Sequence, residues 1–265
     1  MWKRTAPVRE QHFYKAKKRF GQHFLKDDKM AEAIVESLRA DTDYVVEIGP
    51  GQGVLTGFLL EKFGKRYHAI EIDRDLYQYL SEQFPALKGR LHNEDFLRAD
   101  LAKLFPGTVA LIGNFPYNIS TQIIFRVLDF REQVHEVVGM FQREVAKRIA
   151  AQPGSKDYGI ISVLLPCWYE REYLFELAPQ DFSPPPKVHS AVVRLVRNRK
   201  TAMDCDEQIF KTVVKAAFNQ RRKMLRNSLS KLLDAEVLKQ EMFTKRPEQL
   251  SMENFIEIAG MYIAT

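Results

Sequence analysis

Short apolar runs alternate with amphipathic helical patterns over residues 27–151, and this alternation limits the fold more than any other feature of the sequence. The apolar runs are rich in Val and Ile and have the length of strands, whereas the segments between them repeat apolar residues every three or four positions. Because parallel strands need long crossover connections, the alternation predicts an α/β fold with a mostly parallel sheet and helices on both faces. The predicted strands are 44–48, 68–72, 89–92, 109–114 and 136–141, and the predicted helices are 27–38, 54–63, 76–84, 120–128 and 143–151.

The last third of the chain departs from this alternation. Residues 173–177 and 190–196 flank a proline-rich segment, 182–187, and are predicted to form an antiparallel pair at the edge of the sheet. Beyond Arg199 the pattern is helical only, and it covers 209–233 and 254–262. We therefore predict a basic tail over 1–19, an α/β domain over 20–200 and a small all-helical domain over 201–265.

Cysteine and histidine spacings argue against a disulfide scaffold or a metal site. Cys167 and Cys205 lie far apart without a C-x-x-C pair, and the six histidines have no paired ligand spacing. The basic amino terminus lacks the apolar stretch of a signal peptide, and the longest apolar run, 160–165, is far too short to span a bilayer. We expect a cytoplasmic, monomeric protein with no metal and no membrane segment.

A glycine-rich loop, residues 49–53 (GPGQG), connects a predicted strand to a predicted helix. Glycines let the backbone approach a ligand closely, and a helix amino terminus offers free N–H donors, although plain turns of this kind often contain glycine too. A dinucleotide fingerprint would need a third glycine at Val54. Glu71, at the end of the next strand, is placed to accept from ribose hydroxyls, and Asp95 either accepts from an adenine amine or caps its own loop. These positions favour an adenosine-like ligand without a pyrophosphate.

The predicted strand 109–114 ends at Asn114, which is followed by Phe115-Pro116-Tyr117. Proline lacks the donor that a strand needs and asparagine favours turns, so the segment is either a simple strand-to-loop turn or part of a site.

These segments, in this order, resemble the ribosomal RNA adenine dimethylases. Members of this family are class I S-adenosylmethionine-dependent methyltransferases that modify two adjacent adenosines near the 3′ end of small-subunit RNA. The resemblance covers almost the whole chain and implies a Rossmann-like, seven-stranded methyltransferase sheet. The matching segments are 20–25 (FGQHFL), 49–53 (GPGQG), Glu71, Asp95, 114–121 (NFPYNIST), 182–188 (FSPPPKV) and 217–223 (AFNQRRK).

The resemblance implies S-adenosylmethionine as the cofactor. The family often has Asn at the position of His23 and Leu at the position of Phe115. Carried over residue by residue, the cofactor contacts are His23, Leu25, Gly49, Gly51, Glu71, Asp95 and Asn114.

The resemblance also implies how an adenine N6 amine, a poor nucleophile, is methylated. If the Asn114 side-chain oxygen and the Pro116 carbonyl accept from N6–H, the nitrogen lone pair can point at the sulfonium methyl, and positioning supplies most of the rate. Tyr117 is expected to stack on one face of the base and Phe182 on the other, with core packing as the alternative for Phe182. Because the monomethyl product still carries one N6–H, we predict two transfers per adenosine.

Positive charge is concentrated in the basic tail, 1–19, and in residues 209–231. The chain has 40 Lys and Arg against 34 Asp and Glu, a net charge of +6, and residues 209–231 contain seven cations and no acid. Such a segment is usually a solvated surface, but it also suits a polyanion, as does the basic tail. We expect binding to the small ribosomal subunit or its precursor, and the predicted RNA contacts are Lys187, Arg221, Arg222, Lys223 and Arg226.

Three other functions compete with a small-subunit RNA dimethylase. They are a large-subunit RNA dimethylase, a non-enzymatic assembly or transcription factor on the same scaffold, and a nicotinamide oxidoreductase. The continuation 117–121, the triple proline 184–186 and the basic segment favour the small-subunit enzyme. The intact Asn114-Phe115-Pro116-Tyr117 motif argues against lost catalysis, and Val54 argues against the oxidoreductase.

Overall fold

The computed structural model describes residue 17 and residues 21–263. Except for Lys17, the predicted basic tail lies outside the described residues, as does Phe20 of the matching segment 20–25. Among the helices of the described residues, none is long and apolar enough to cross a membrane.

A seven-stranded sheet forms the centre of the molecule. With strands numbered in chain order, its spatial order is β4 (Leu91–His92), β3 (Tyr67–Ile70), β2 (Tyr44–Ile48), β5 (Val109–Asn114), β6 (Val134–Gln142), β9 (Ser190–Arg197) and β7 (Tyr169–Leu177). The five strands from β4 to β6 are parallel, and β9 runs antiparallel to both of its neighbours. This confirms the mostly parallel sheet predicted from the alternation. A separate two-stranded ladder joins β1 (Phe24–Leu25) to β8 (Phe182–Ser183).

Helices cover both faces of this sheet, as predicted. The helices before β5 are α1 (Asp28–Ser37), α2 (Thr56–Phe63), α3 (Arg74–Gln83) and α4 (Leu101–Leu104). The helices after β5 and before β7 are α5 (Ser120–Asp129), α6 (Arg143–Ala150) and α7 (Ile160–Leu164).

The side chains of β5 alternate between two apolar cores. Ala110 and Ile112 are buried with residues of α1, α2 and α3, whereas Leu111 is buried with residues of α4, α5 and α6. A strand buried on both faces in this way explains the continuous apolar run in the sequence. The last residues of β2 and β5 therefore emerge from the core at one edge, where their loops meet.

The predicted antiparallel pair is confirmed, but its outer strand is longer than expected. β7 begins at Tyr169 rather than at Tyr173, and its register against β9 shifts between Tyr173 and Phe175. The first half of β7 was not predicted because the charged residues Glu170 to Glu172 interrupt the apolar run. An edge strand does not need such a run.

The helical end of the chain contains α8 (Glu207–Asn219), α9 (Leu225–Ser228) and α10 (Met252–Gly260). The helical pattern over 209–233 is interrupted, because a turn at 220–224 separates α8 from α9. That turn lets Leu225 and Leu229 reach the core, where both are fully buried. Buried residues of α8 and α10 belong to the same apolar cluster as α5 and α6.

Candidate active site

The glycine loop follows β2 and turns the chain into α2. Gly49, Gly51 and Gly53 all have positive φ, at 66°, 58° and 78°. Gly53 also has a steric reason, since a Cβ there would lie 2.4 Å from the Phe84 ring. Glycine is therefore required in this loop both by its backbone conformation and by the close approach of α3. The result is a tight loop whose backbone lines a cavity.

Glu71 stands directly after β3 and faces this loop. Its carboxylate accepts from the backbone N–H of Gly51 at 3.2 Å and of Asp73 at 2.9 Å. Burial raises the pKa of Glu71 to about 7, and the two backbone donors offset part of that rise. The side chain is 4% exposed, so it presents a largely desolvated acceptor to the cavity.

Asp95 performs the capping role that was the alternative at the sequence level, and it also lines the cavity. One side-chain oxygen accepts from the Leu97 backbone N–H at 2.9 Å, and the other lies 3.7 Å from Arg98 Nε. Since a carboxylate oxygen has two lone pairs, capping does not exhaust its capacity to bind a ligand amine.

Two further residues of the cavity were missed at the sequence level. Glu47 lies in β2 beneath the loop, is fully buried, and accepts from Tyr67 Oη at 2.5 Å and Thr56 Oγ1 at 2.8 Å. Burial raises the pKa of Glu47 to about 7. The sequence signal that could have identified Glu47 is a single acid inside an otherwise apolar strand. Ile72 is 45% exposed at the cavity wall, and its place after Glu71 could have indicated an apolar surface for a ring.

One cavity of about 220 Å³ brings most of the predicted site residues together from the ends of β2, β3, β4 and β5 and from the amino-terminal segment. Phe182, Lys187 and the four predicted RNA contacts of the helical end do not line it. The predicted site residues that do line it are His23, Leu25, Gly49, Gly51, Glu71, Asp95, Asn114, Pro116 and Tyr117.

Asn114 ends β5 with its side-chain amide in a defined orientation. Its Nδ2 donates to the His23 carbonyl at 2.6 Å. Because only the amide nitrogen can donate to a carbonyl, the Asn114 oxygen remains as an acceptor on the other side of the amide. The Pro116 carbonyl accepts from the Ile119 N–H at 3.1 Å and keeps a second lone pair.

Tyr117 is anchored at its hydroxyl and packed at its ring. The hydroxyl is hydrogen-bonded to Ser190 Oγ at the start of β9. Burial raises the pKa of Tyr117, so the phenol stays neutral near pH 7. The His23 ring lies beside it, with 5.4 Å between ring centroids and 31° between ring planes.

Phe182 lies outside the lining of the cavity. It pairs with Leu25 in the β1–β8 ladder, is 1% exposed, and packs in a core cluster with Leu25, Leu177 and Val192. The ring is packed in the core here, which was the alternative stated for this residue, and its stacking on a target base stays a prediction.

The predicted RNA contacts all have exposed or half-exposed side chains. Arg222, Lys223 and Arg226 are exposed around the turn between α8 and α9, and Lys187 is exposed in the proline-rich loop. Arg221 is half-exposed, and its guanidinium donates to the Lys156 carbonyl and lies 4.0 Å from Glu248.

Comparison with known proteins adds an independent finding. The family model described as ribosomal RNA adenine dimethylase matches residues 13–261. The chain belongs to the ribosomal RNA adenine dimethylase family. This confirms the resemblance drawn from the motifs, and it overturns the oxidoreductase alternative, since this is a family of methyltransferases that use S-adenosylmethionine.

Close relatives of this dimethylase cover nearly its whole length. Ribosomal RNA small subunit methyltransferase A of Parabacteroides distasonis is 55% identical over 247 residues, which are 92% of this chain and 92% of that protein. The protein of the same name from Cytophaga hutchinsonii is 51% identical over 251 residues, covering 93% and 97% of the two chains.

Solved structures share the dimethylase fold. A dimethyladenosine transferase from Plasmodium falciparum superposes with a TM-score of 0.74 at 22% identity, covering 91% of this chain and 100% of that one. The 23S rRNA methyltransferase ErmE superposes with a TM-score of 0.66 at 26% identity, covering 89% and 99%.

Proposed function

We propose that this dimethylase transfers methyl groups from S-adenosylmethionine to N6 of two adjacent adenosines in a 3′-terminal hairpin loop of small-subunit ribosomal RNA. The product is N6,N6-dimethyladenosine, and the reaction belongs to small-subunit biogenesis. The observation that carries the proposal is the tethered amide of Asn114, whose free oxygen belongs to the same cavity as the glycine loop and Glu71.

The residues of the cavity fit an adenosine-bearing cofactor. The glycine loop has the backbone conformation for close approach to a ligand, and Glu71 supplies a buried acceptor for ribose hydroxyls. Asp95 supplies an acceptor for the adenine amine, and Ile72 an apolar surface for its ring. When bound, S-adenosylmethionine supplies an electrophilic methyl group on a sulfonium centre.

The Asn114 to Tyr117 segment then has to hold a base rather than activate a nucleophile. The Asn114 oxygen and the Pro116 carbonyl orient the N6 amine by accepting its protons, and Tyr117 supports the ring. Neutral acceptors suit this task because N6 becomes cationic as the new bond forms, and fixed dipoles stabilise that charge without reorganisation. The dimethyl product has no N6–H left to donate, so transfer stops at two.

The target base must be unpaired or extruded to enter such a cavity. Phosphate binding is assigned to Arg222, Lys223, Arg226 and Lys187, which are exposed. Arg221, whose side chain is 39% exposed, stays a candidate phosphate contact, although its guanidinium also donates to the Lys156 carbonyl.

Small-subunit rather than large-subunit RNA is favoured by identity. Two relatives named for the small subunit share 55% and 51% of their residues with this chain, whereas the 23S enzyme ErmE shares 26%. The decisive experiment incubates unmodified small subunits, and separately large subunits, with labelled S-adenosylmethionine, followed by nuclease digestion and mass spectrometry. We expect dimethyladenosine at two adjacent positions of the small-subunit RNA. Monomethyl product at saturation, or label in the large subunit alone, would contradict the proposal.

A second experiment tests the phosphate contacts. Each lost contact should weaken binding to small subunits. It should also reduce the slope of log affinity against log salt concentration by about one, because one contact fewer releases counterions. We expect this for Arg222→Gln and Lys223→Gln. Lys239→Gln is the matched control, since Lys239 is an exposed lysine of the helical end that pairs with Glu236. An equal effect in all three variants would remove the assignment.

A further inference from the structure

The hydroxyl of Tyr117 is held by a residue that lies outside the cavity. Its Oη is hydrogen-bonded to Ser190 Oγ, 73 residues further along the chain. Ser190 is fully buried and does not line the cavity, whereas Tyr117 does. Ser190 therefore reaches the site only through the phenol.

The backbone fixes the position of the Ser190 hydroxyl. Ser190 is the first residue of β9, and it pairs with Gln142 of β6 on one side and with Leu177 of β7 on the other. The Arg143 N–H donates to the His189 carbonyl at 2.9 Å, so contact with the chain after β6 continues one residue before β9. Because a serine side chain has a single heavy-atom torsion, a hydroxyl on a strand that is paired on both sides can occupy only a few positions.

The other end of the Tyr117 side chain is also fixed. The Tyr117 backbone carbonyl accepts from Ser120 Oγ at 3.2 Å, at the start of α5. Since the phenol oxygen lies on the Cβ–Cγ axis, the hydrogen bond to Ser190 fixes the direction of that axis. The His23 ring, 5.4 Å away between centroids, restricts rotation about it. Together these contacts define the plane of the Tyr117 ring.

Stacking by itself does not require the phenol hydroxyl. A phenylalanine at this position would offer an aromatic face of the same size. A hydroxyl that is bound to a fixed, buried strand residue therefore points to a second requirement, which is the placement of the ring. Methyl transfer is sensitive to placement, since a shift of about 1 Å in the reacting groups can lower a rate about 100-fold.

Resting on the proposed function, we propose that Ser190 is a positioning residue for methyl transfer. Its hydroxyl holds the Tyr117 ring where that ring supports the target adenine, so that N6 stays within reach of the Asn114 oxygen. Ser190 contacts neither the base nor the cofactor and acts only through Tyr117. The two hydroxyls form one unit, so loss of either one has the same consequence as loss of both.

A double-mutant cycle tests this dependence. Tyr117→Phe keeps the ring and removes its anchor, Ser190→Ala removes the other half of the hydrogen bond, and a third variant combines both changes. Ser162→Ala is the matched control, because Ser162 is a fully buried serine outside the cavity whose Oγ donates to the Arg148 carbonyl at 2.6 Å. For each variant, kcat and KM for unmodified small subunits are measured at saturating S-adenosylmethionine, together with cofactor affinity and melting temperature.

We expect kcat to fall about two- to tenfold in each single variant, as loss of one hydrogen bond predicts, and to fall no further in the double variant. KM for small subunits should change less than twofold, since phosphate contacts supply most of that binding. Cofactor affinity should stay within twofold of wild type in every variant. Ser162→Ala should keep the wild-type kcat.

Four results would overturn the inference. They are a wild-type kcat in Ser190→Ala, single-variant losses that multiply in the double variant, a loss confined to KM, and an equal loss of kcat in Ser162→Ala. The last of these would show that the loss reflects stability rather than placement of the ring. Failure of the proposed function would instead be seen in the wild-type reaction, as an absence of dimethyladenosine.

Discussion

Substitution of Asn114 tests the proposed chemistry most directly, because its side chain has two separable groups. Nδ2 donates 2.6 Å to the His23 carbonyl, and the oxygen is the acceptor for N6–H. Asn114→Ala removes both groups. Asn114→Asp keeps oxygen acceptors of the same size but loses the donor that orients them.

The structure sets a different magnitude for each variant. Removing a fixed dipole aimed at developing charge lowers kcat by about 10²–10³-fold, and we expect this for Asn114→Ala. The Asp variant loses one neutral hydrogen bond, worth about 0.5–1.5 kcal/mol net, which corresponds to about a two- to tenfold loss. The expected order is therefore wild type, then Asp, then Ala.

Single-turnover transfer of labelled methyl groups to unmodified small subunits measures these losses. Cofactor affinity by calorimetry and the melting temperature serve as controls, and we expect only modest changes in both. If Asn114→Ala kept more than a tenth of the wild-type rate, the proposed role of this acceptor would be refuted.

Three further predictions concern buried acids and one glycine. Since burial raises the pKa of Glu71 to about 7 and hydroxyl donors favour its ionised form, affinity for S-adenosylmethionine should fall as the pH drops below 7, by at most tenfold per pH unit. Calorimetry between pH 6 and 8 checks this, and Glu71→Gln should bind weakly with no such dependence. Burial raises the pKa of Glu47 from 4.5 to about 7 in the folded state. The free energy of unfolding should therefore fall by up to about 3 kcal/mol as the pH rises from 4.5 to 7, because the unfolded chain releases this proton first. Urea unfolding of Glu47→Gln should lack this loss, and identical pH profiles would contradict the assignment. Gly139→Ala would place a Cβ 2.4 Å from the Phe115 ring, next to Asn114, and should cost about 1–3 kcal/mol of stability together with activity. Gly57→Ala, in an open position of α2, is the control and should stabilise by about 0.5–1 kcal/mol; equal melting temperatures for the two variants would argue against the steric effect.

Much of the fold was readable from local patterns. The predicted strands 44–48 and 109–114 match β2 and β5 residue for residue, because a strand buried on both faces is a short, continuous apolar run. The helical pattern over 209–233 does not give one continuous helix. Its apolar period continues past Gln220, but burial of Leu225 and Leu229 in a shared core requires the chain to turn.

Short segments of the sequence were also enough to predict the residues of the site, since the glycine loop, Glu71 and the Asn114 to Tyr117 motif each stand at the end of a strand. The sequence did not reveal which aromatic rings face the cavity. Phe24 pairs with Ser183 and Leu25 with Phe182, and this ladder buries the Phe182 ring. The Nδ1 of His23 meets a carbonyl 161 residues away, and that contact turns its ring toward Tyr117.

The amino-acid sequence by itself determined the kind of layers, the strand-end loops and the residue types that can hold an adenosine and an amine, because these depend on local periodicity and side-chain chemistry. Only the tertiary structure decided that the Arg221 guanidinium meets the Lys156 carbonyl, that Glu47 lies buried beneath the glycine loop, and that the His23 ring lies beside Tyr117. Those outcomes depend on contacts between segments far apart in the chain, where burial and pairing, not local preference, set the orientation of each side chain.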